Sequence, residues 1–147
     1  MGRNLSRPGC TVAGWRVGQQ KGFNRSEPAH EAVVSTLKSP SDQLVVSPYV
    51  IAELDYLIAT RVGVAAETAV LEELAGGAYI LPSFSEKDLA AAIGVVAEYS
   101  DLGIGIADAS IVVLAQRYAT ATILTLDRRH FGALRPATGG AFTLLPD

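Results

Sequence analysis

Cysteine is almost missing from this chain: Cys10 stands alone among 147 residues. A single thiol excludes an intramolecular disulfide and any cysteine-rich zinc site. Also missing is an apolar run approaching the ~20 residues of a membrane span, and the first residues contain no contiguous apolar stretch of the kind a secretory signal needs. Both absences predict a soluble protein in a reducing, cytoplasmic setting. Acids are absent from residues 1–25, where Arg3, Arg7, Arg16, Lys21 and Arg25 give +5, and no aspartate precedes Asp42. With an overall charge of −3, the rest of the chain must carry −8. A body that acidic argues against a passive nucleic-acid binder, which usually shows a basic face. It is compatible with an enzyme whose site is itself acidic and whose metal supplies the positive charge.

What remains is an apolar chain, 49% hydrophobic, of a length that makes one domain with an adequate core. Residues 1–24 have no sustained apolar period, and the texture changes sharply from Ser26 onward. PAHEAVVSTL reads as a short helix and LVVS as a short buried strand. Ser47 then caps a helix whose first residue is Pro48, where a missing N–H costs nothing. That helix runs through YVIAELDYLIATRVG to Gly63. A further helix, AAETAVLEELAGG, ends on paired glycines, and AYILP follows as a strand. Ser85 and Asp88 form a capping-box start to SEKDLAAAIGVVAEYS. Beyond the loop DLGIG come the helix ADASIVVLAQRYA, the strand TILTL, a DRRHFGAL turn and a last strand AFTLLP. Strands alternating with helices predict an α/β fold with a parallel sheet covered on both faces.

Three carboxylates fall where such a fold would gather them. Glu53 lies on the helix after LVVS and shares a face with Val50 and Leu57. Asp108 lies in the first turn of an apolar helix, where the helix dipole favours its ionised form. Asp127 closes TILTLD. Open α/β sheets bind ligands beyond the carboxyl ends of their strands, and acids gathered there need a hard cation such as Mg²⁺ or Mn²⁺. Each acid also has an ordinary explanation: a salt bridge from Glu53 to Arg61, a helix-start aspartate at 108, a turn aspartate at 127. Their joint placement favours a site. Arg128 and Arg129 could hold RNA phosphates beside it or belong to a solvated turn. Asp101 reads as a turn residue and Asp55 as solvated; His130 could contact a phosphate, but a lone histidine in a surface turn is more often an ordinary turn residue. Gly103-Ile-Gly105-Ile-Ala-Asp108 is a poor dinucleotide loop, since an acid replaces the third glycine. A phospho-accepting receiver would want a late lysine, and the last here is Lys87.

With these residues in view, SPYVIAELDYLIATR, IGIADASIVVLAQRYATATILTLDRRHF and LRPATGGAFTLLP closely resemble PIN-domain ribonucleases, specifically the VapC toxins of mycobacterial VapBC toxin–antitoxin systems. The resemblance covers roughly Phe23 to the end of the chain. It implies a PIN-like three-layer α/β/α sandwich over residues 25–147. It places Glu53, Asp108 and Asp127 on three of the family's four acidic positions, which bind Mg²⁺ or Mn²⁺. It also implies cleavage of structured RNA such as tRNA or ribosomal RNA, a homodimer, and inhibition by a VapB antitoxin. The departure is at the front. The family opens with an apolar strand ending in Asp-Thr-Ser, and counting back from Asn24 puts that aspartate near Trp15. Residues 1–24 are therefore an atypical segment in place of the first strand, and the abrupt change in texture favours a frame or start that differs from the family's. TVAGWRV, with Gly14 and Arg16, suits a buried parallel strand badly, so residues 1–22 are expected to pack irregularly or stay outside the sheet, and the chain as written to be a weak or inactive nuclease. The rival reading is a PIN pseudonuclease that binds antitoxin or RNA without cutting.

Overall fold

Four short runs of β-branched and apolar residues pair side by side, every one parallel to its neighbour. They are β1 (Cys10–Ala13), β2 (Gln43–Val46), β3 (Thr122–Leu124) and β4 (Thr143–Leu145), in the order β2-β1-β3-β4. The computed structural model describes residues 10–14, 43–125 and 127–145. The helix expected over PAHEAVVSTL lies outside them. Among the described residues five helices accompany the sheet: α1 (Pro48–Arg61), α2 (Val64–Ala75), α3 (Glu86–Glu98), α4 (Ile106–Arg117) and α5 (Arg128–Ala133). A 3₁₀ turn spans Ser100–Leu102. None of the described helices is long and apolar enough to cross a membrane.

The first strand overturns an expectation. Cys10–Ala13 is inside the sheet, pairing Val12 with Val45 on one side and with Ile123 on the other. The strand is short enough to end before the residues that argued against it. Cys10, Thr11 and Val12 are all buried, and the next residue, Gly14, donates its N–H to Leu124 O at 2.8 Å. A Cβ at position 14 would sit 2.8 Å from Ile111 Cδ1. The glycine that looked like a strand breaker is what lets the strand end against α4.

Elsewhere the local signals set the elements. Ser47 caps α1 by accepting the Tyr49 N–H, with Pro48 in the first turn. Gly63 takes the positive φ of +129° that separates α1 from α2. The Ser85–Asp88 capping box at the head of α3 is complete. AYILP is reduced to one parallel bridge, Val45 to Ile80, since Pro82 removes a ladder donor just beyond it. DRRHFGAL is a helix and not a turn, started by Asp127 as its cap. The core lies between the sheet and α4, whose residues Ala107–Ala115 are all buried. Val and Ile are modest helix formers. Full burial, at about 1.5–3 kcal/mol for each large aliphatic side chain, overrides that preference here.

Candidate active site

The parallel order sends the exits of β2, β1 and β3 to one edge of the sheet. Gly14, at the exit of β1, faces Ile111 of α4, Phe131 of α5 and Thr125 after β3. Ser47, at the exit of β2, bonds through its Oγ to Ser110 Oγ of α4 at 2.6 Å. The first turn of α4 and the start of α5 are thus held at the edge where α1 begins. Each predicted acid stands on one of these elements: Glu53 on α1, Asp108 in the first turn of α4, Asp127 as the cap of α5.

Their surroundings differ. Asp108 is 4% exposed, and its helical neighbours Ile111, Val112 and Ala115 are buried as their spacing implies. Glu53 lies between buried Val50 and Leu57, and its Oε2 is shut off from solvent. Asp127 is half-buried. Its Oδ1 accepts the His130 N–H at 3.1 Å, and its Oδ2 lies 2.8 Å from His130 Nδ1. Its own N–H donates to Thr125 Oγ1 at 2.9 Å. Arg128 and Arg129, in the first turn of α5, are both exposed.

His130 is not the surface residue its sequence setting suggested. It is 8% exposed, and its second nitrogen, Nε2, lies 3.1 Å from Leu102 O. A carbonyl only accepts, so Nε2 carries a hydrogen. The ring thereby ties the Asp127 carboxylate to the turn that leads into α4. The signal available was the spacing Asp127-x-x-His130 followed by apolar Phe131 and Leu134: a cap, its third helical residue and a buried stripe. Ser110 was also missed. A hydroxyl at the head of the apolar run IVVLA was the clue.

The donor chemistry of Glu53, Asp108 and Asp127, three carboxylates with Asp108 buried and one Glu53 oxygen shut off from solvent, fits a hard divalent cation. The number gathered falls short: among the described residues no three His, Cys, Asp or Glu side chains form a group that could hold a metal ion. The exit of β1, where a further acid would enter such a group, bears Gly14.

The sequence profile of the PIN domain matches residues 21–135. The chain belongs to the PIN-domain family. Ribonuclease VapC26 of Mycobacterium tuberculosis is 60% identical over 124 residues, which are 84% of this chain and 92% of that protein. A crystal structure of VapC20 from the same organism, described as a sarcin–ricin-loop-cleaving toxin, superposes with a TM-score of 0.67. That match covers 75% of this chain and 85% of VapC20 at 14% identity, a likeness of fold alone. The parallel sheet with its surrounding helices is thus the PIN arrangement, and the chain is a homologue of VapC ribonucleases. The PIN match begins at residue 21, beyond β1. β4 lies beyond the other end of the match, so two of the four described strands are supplied by sequence outside it.

Proposed function

We propose that this PIN-domain protein is the toxin of a type II toxin–antitoxin pair, an endoribonuclease that cleaves structured RNA with Mg²⁺ or Mn²⁺. The 60% identity to Ribonuclease VapC26 across most of both chains carries this reading. The placing of three acid-bearing elements at one sheet edge supports it. Glu53, Asp108 and Asp127 would hold the ion. Bound there, it would supply positive charge to the phosphodiester and an activated water. Arg128 and Arg129, exposed at the head of α5, would fix RNA phosphates beside the site. Tight hairpins of tRNA or ribosomal RNA, the sarcin–ricin loop among them, are the substrates to try first. The partners would be a VapB-type antitoxin, which an acidic body would receive through a basic segment, and a second copy of the chain. The setting would be the cytoplasm, where Cys10 stays a thiol.

A second reading has a specific observation behind it. With no carboxylate at the exit of β1 and no three-ligand group among the described residues, the chain as written could serve as a pseudonuclease that binds antitoxin or RNA and does not cut. One comparison separates the two. The unaltered chain and Trp15→Asp, which puts a carboxylate where the family resemblance places it, are incubated with labelled RNA hairpins and Mn²⁺, with and without chelator. Chelator-sensitive cleavage by the unaltered chain supports the nuclease. Cleavage by Trp15→Asp alone supports the pseudonuclease, and cleavage by neither, or cleavage that survives chelator, ends the metal-site assignment.

A further inference from the structure

Two buried hydroxyls at the sheet edge form a hydrogen-bond chain whose direction is fixed by chemistry. Ser47 and Ser110 are both wholly buried. Ser110 Oγ lies 2.6 Å from Ala107 O. A carbonyl cannot donate, so the one hydroxyl hydrogen of Ser110 goes to Ala107. The 2.6 Å contact between the two Oγ atoms must then be made with the hydrogen of Ser47. The Ser47 oxygen in turn accepts the Tyr49 N–H at 3.2 Å. The order runs from the Tyr49 N–H to Ser47, from Ser47 to Ser110, and from Ser110 to the Ala107 carbonyl, with each hydroxyl both donating and accepting.

Both ends of the chain sit in helix first turns. Ser47 is the cap of α1, which carries Glu53. Ser110 and Ala107 flank Asp108 in α4. Apolar packing tolerates sliding, whereas a short directed hydrogen bond does not. We propose that Ser47 and Ser110 are positioning residues of the active site: they lock α1 to α4 and so set where Glu53 stands relative to Asp108. This rests on the reading that those two acids share a metal.

The test uses Mn²⁺ as the probe, followed by the electron paramagnetic resonance signal of the free ion. The unaltered full-length chain is compared with Ser110→Ala, Ser47→Ala, the double variant and Ser47→Thr. Thermal transitions establish which proteins are folded. Removing the Ser110 hydroxyl strands the Ser47 hydrogen in a dry place, so Ser110→Ala is expected to lower the melting temperature and to weaken Mn²⁺ binding about tenfold, as loss of a ligand's supporting hydrogen bonds does elsewhere. Ser47→Thr keeps a cap hydroxyl and is expected to keep Mn²⁺ affinity. If Ser110→Ala does not fold, the double variant, which has no stranded hydrogen, takes its place and is still expected to bind Mn²⁺ weakly. A folded variant lacking either hydroxyl that binds Mn²⁺ as the unaltered chain does would show a purely structural bond and overturn the inference while leaving the metal site intact. An unaltered chain that binds no Mn²⁺ overturns the site reading and the inference together.

Discussion

Helices α2 and α4 have twelve residues each and similarly apolar sequences, VAAETAVLEELA and IADASIVVLAQR. Nine consecutive residues of α4 are buried, and none of α2 is. The difference lies in their neighbours. α4 is wedged among α1, α3 and β1, while the main contact of α2 is α1. Apolar content makes burial affordable, and topology decides where it happens. The ties at the helix ends follow the same division. Arg117, in the last turn of α4, pairs with Asp88 of α3 and bonds the Ser83 carbonyl. Across α1 and α2, by contrast, the neighbours are two acids, and Asp55 raises the Glu67 carboxyl.

The largest break in this comparison is chemical. Asp108→Asn keeps the shape of the buried helix start and removes its charge. RNA cleavage in Mn²⁺ is expected to fall at least about a hundredfold, consistent with the several kcal/mol a metal contributes, with the thermal transition little changed. Normal cleavage by Asp108→Asn would remove α4 from the site. Next come the two helices directly. Leu114→Ala empties a fully buried position of α4 and is expected to cost about 2–5 kcal/mol in denaturant unfolding. Leu71→Ala, on the exposed helix α2, is expected to stay within about 0.5 kcal/mol in the monomer. Equal costs would mean that α2 is packed in solution.

Smaller again is the glycine at the end of β1. Gly14→Ala forces a Cβ to within 2.8 Å of Ile111 Cδ1 and is expected to cost about 1–3 kcal/mol. Ile111→Val deletes that methyl, so the double variant is expected to cost less than the two single changes added together. Strict additivity would disprove the contact.

The charged ties give the finest distinction, and they carry opposite signs. The Arg117 guanidinium holds the Asp88 carboxyl down at about 2, below its unfolded value near 4. Its stabilisation is therefore present above pH 4 and is lost as pH falls from 4 through 2. Arg117→Ala is expected to lower the melting temperature most at pH 7 and much less below pH 2, where only the bond to the Ser83 carbonyl is left to lose. The hydrogen bond that a protonated Glu67 donates to the Asp55 carboxylate, together with the like charge of Asp55, raises the Glu67 carboxyl. That contribution is present in acid, below the ordinary carboxylate value, and is lost as pH rises through the raised one. Glu67→Gln keeps a donor at every pH, so its melting temperature is expected to gain slightly on the unaltered chain between pH 4 and pH 7. A melting profile in which both variants shift in the same pH range would erase the contrast.

Much of this was legible in the residues. Ser47-Pro48 and Ser85-x-x-Asp88 announce helix starts through local hydrogen bonding alone, and TILTL and LVVS read as buried parallel strands because both faces must be apolar. Glu53, Asp108 and Asp127 were singled out by strand exits and helix starts, and those are the elements the fold brings to one edge. What was not legible depended on partners distant in sequence. β1 is four residues long, too short for a period, and its place is set by strands on either side. Gly14 looked unfavourable because the Ile111 methyl it accommodates lies on another element. His130 and Ser110 look like a surface turn and a polar interruption until Leu102 and Ser47 are placed beside them.

The position of β1 in the sheet also governs when the molecule can exist at all. Its partner β3 comes late, and the Thr120 hydroxyl that anchors the Cys10 carbonyl is 110 residues away in sequence. Contacts of that separation slow folding, since a long loop must close before any pairing rewards it. On the ribosome, β1 and β2 can meet early, but β3, α5 and the Asp127 carboxylate emerge only as synthesis nears its end. A chain still being made therefore has no assembled edge. For the ribonuclease proposed above, that delay would separate the act of translation from the arrival of the blade.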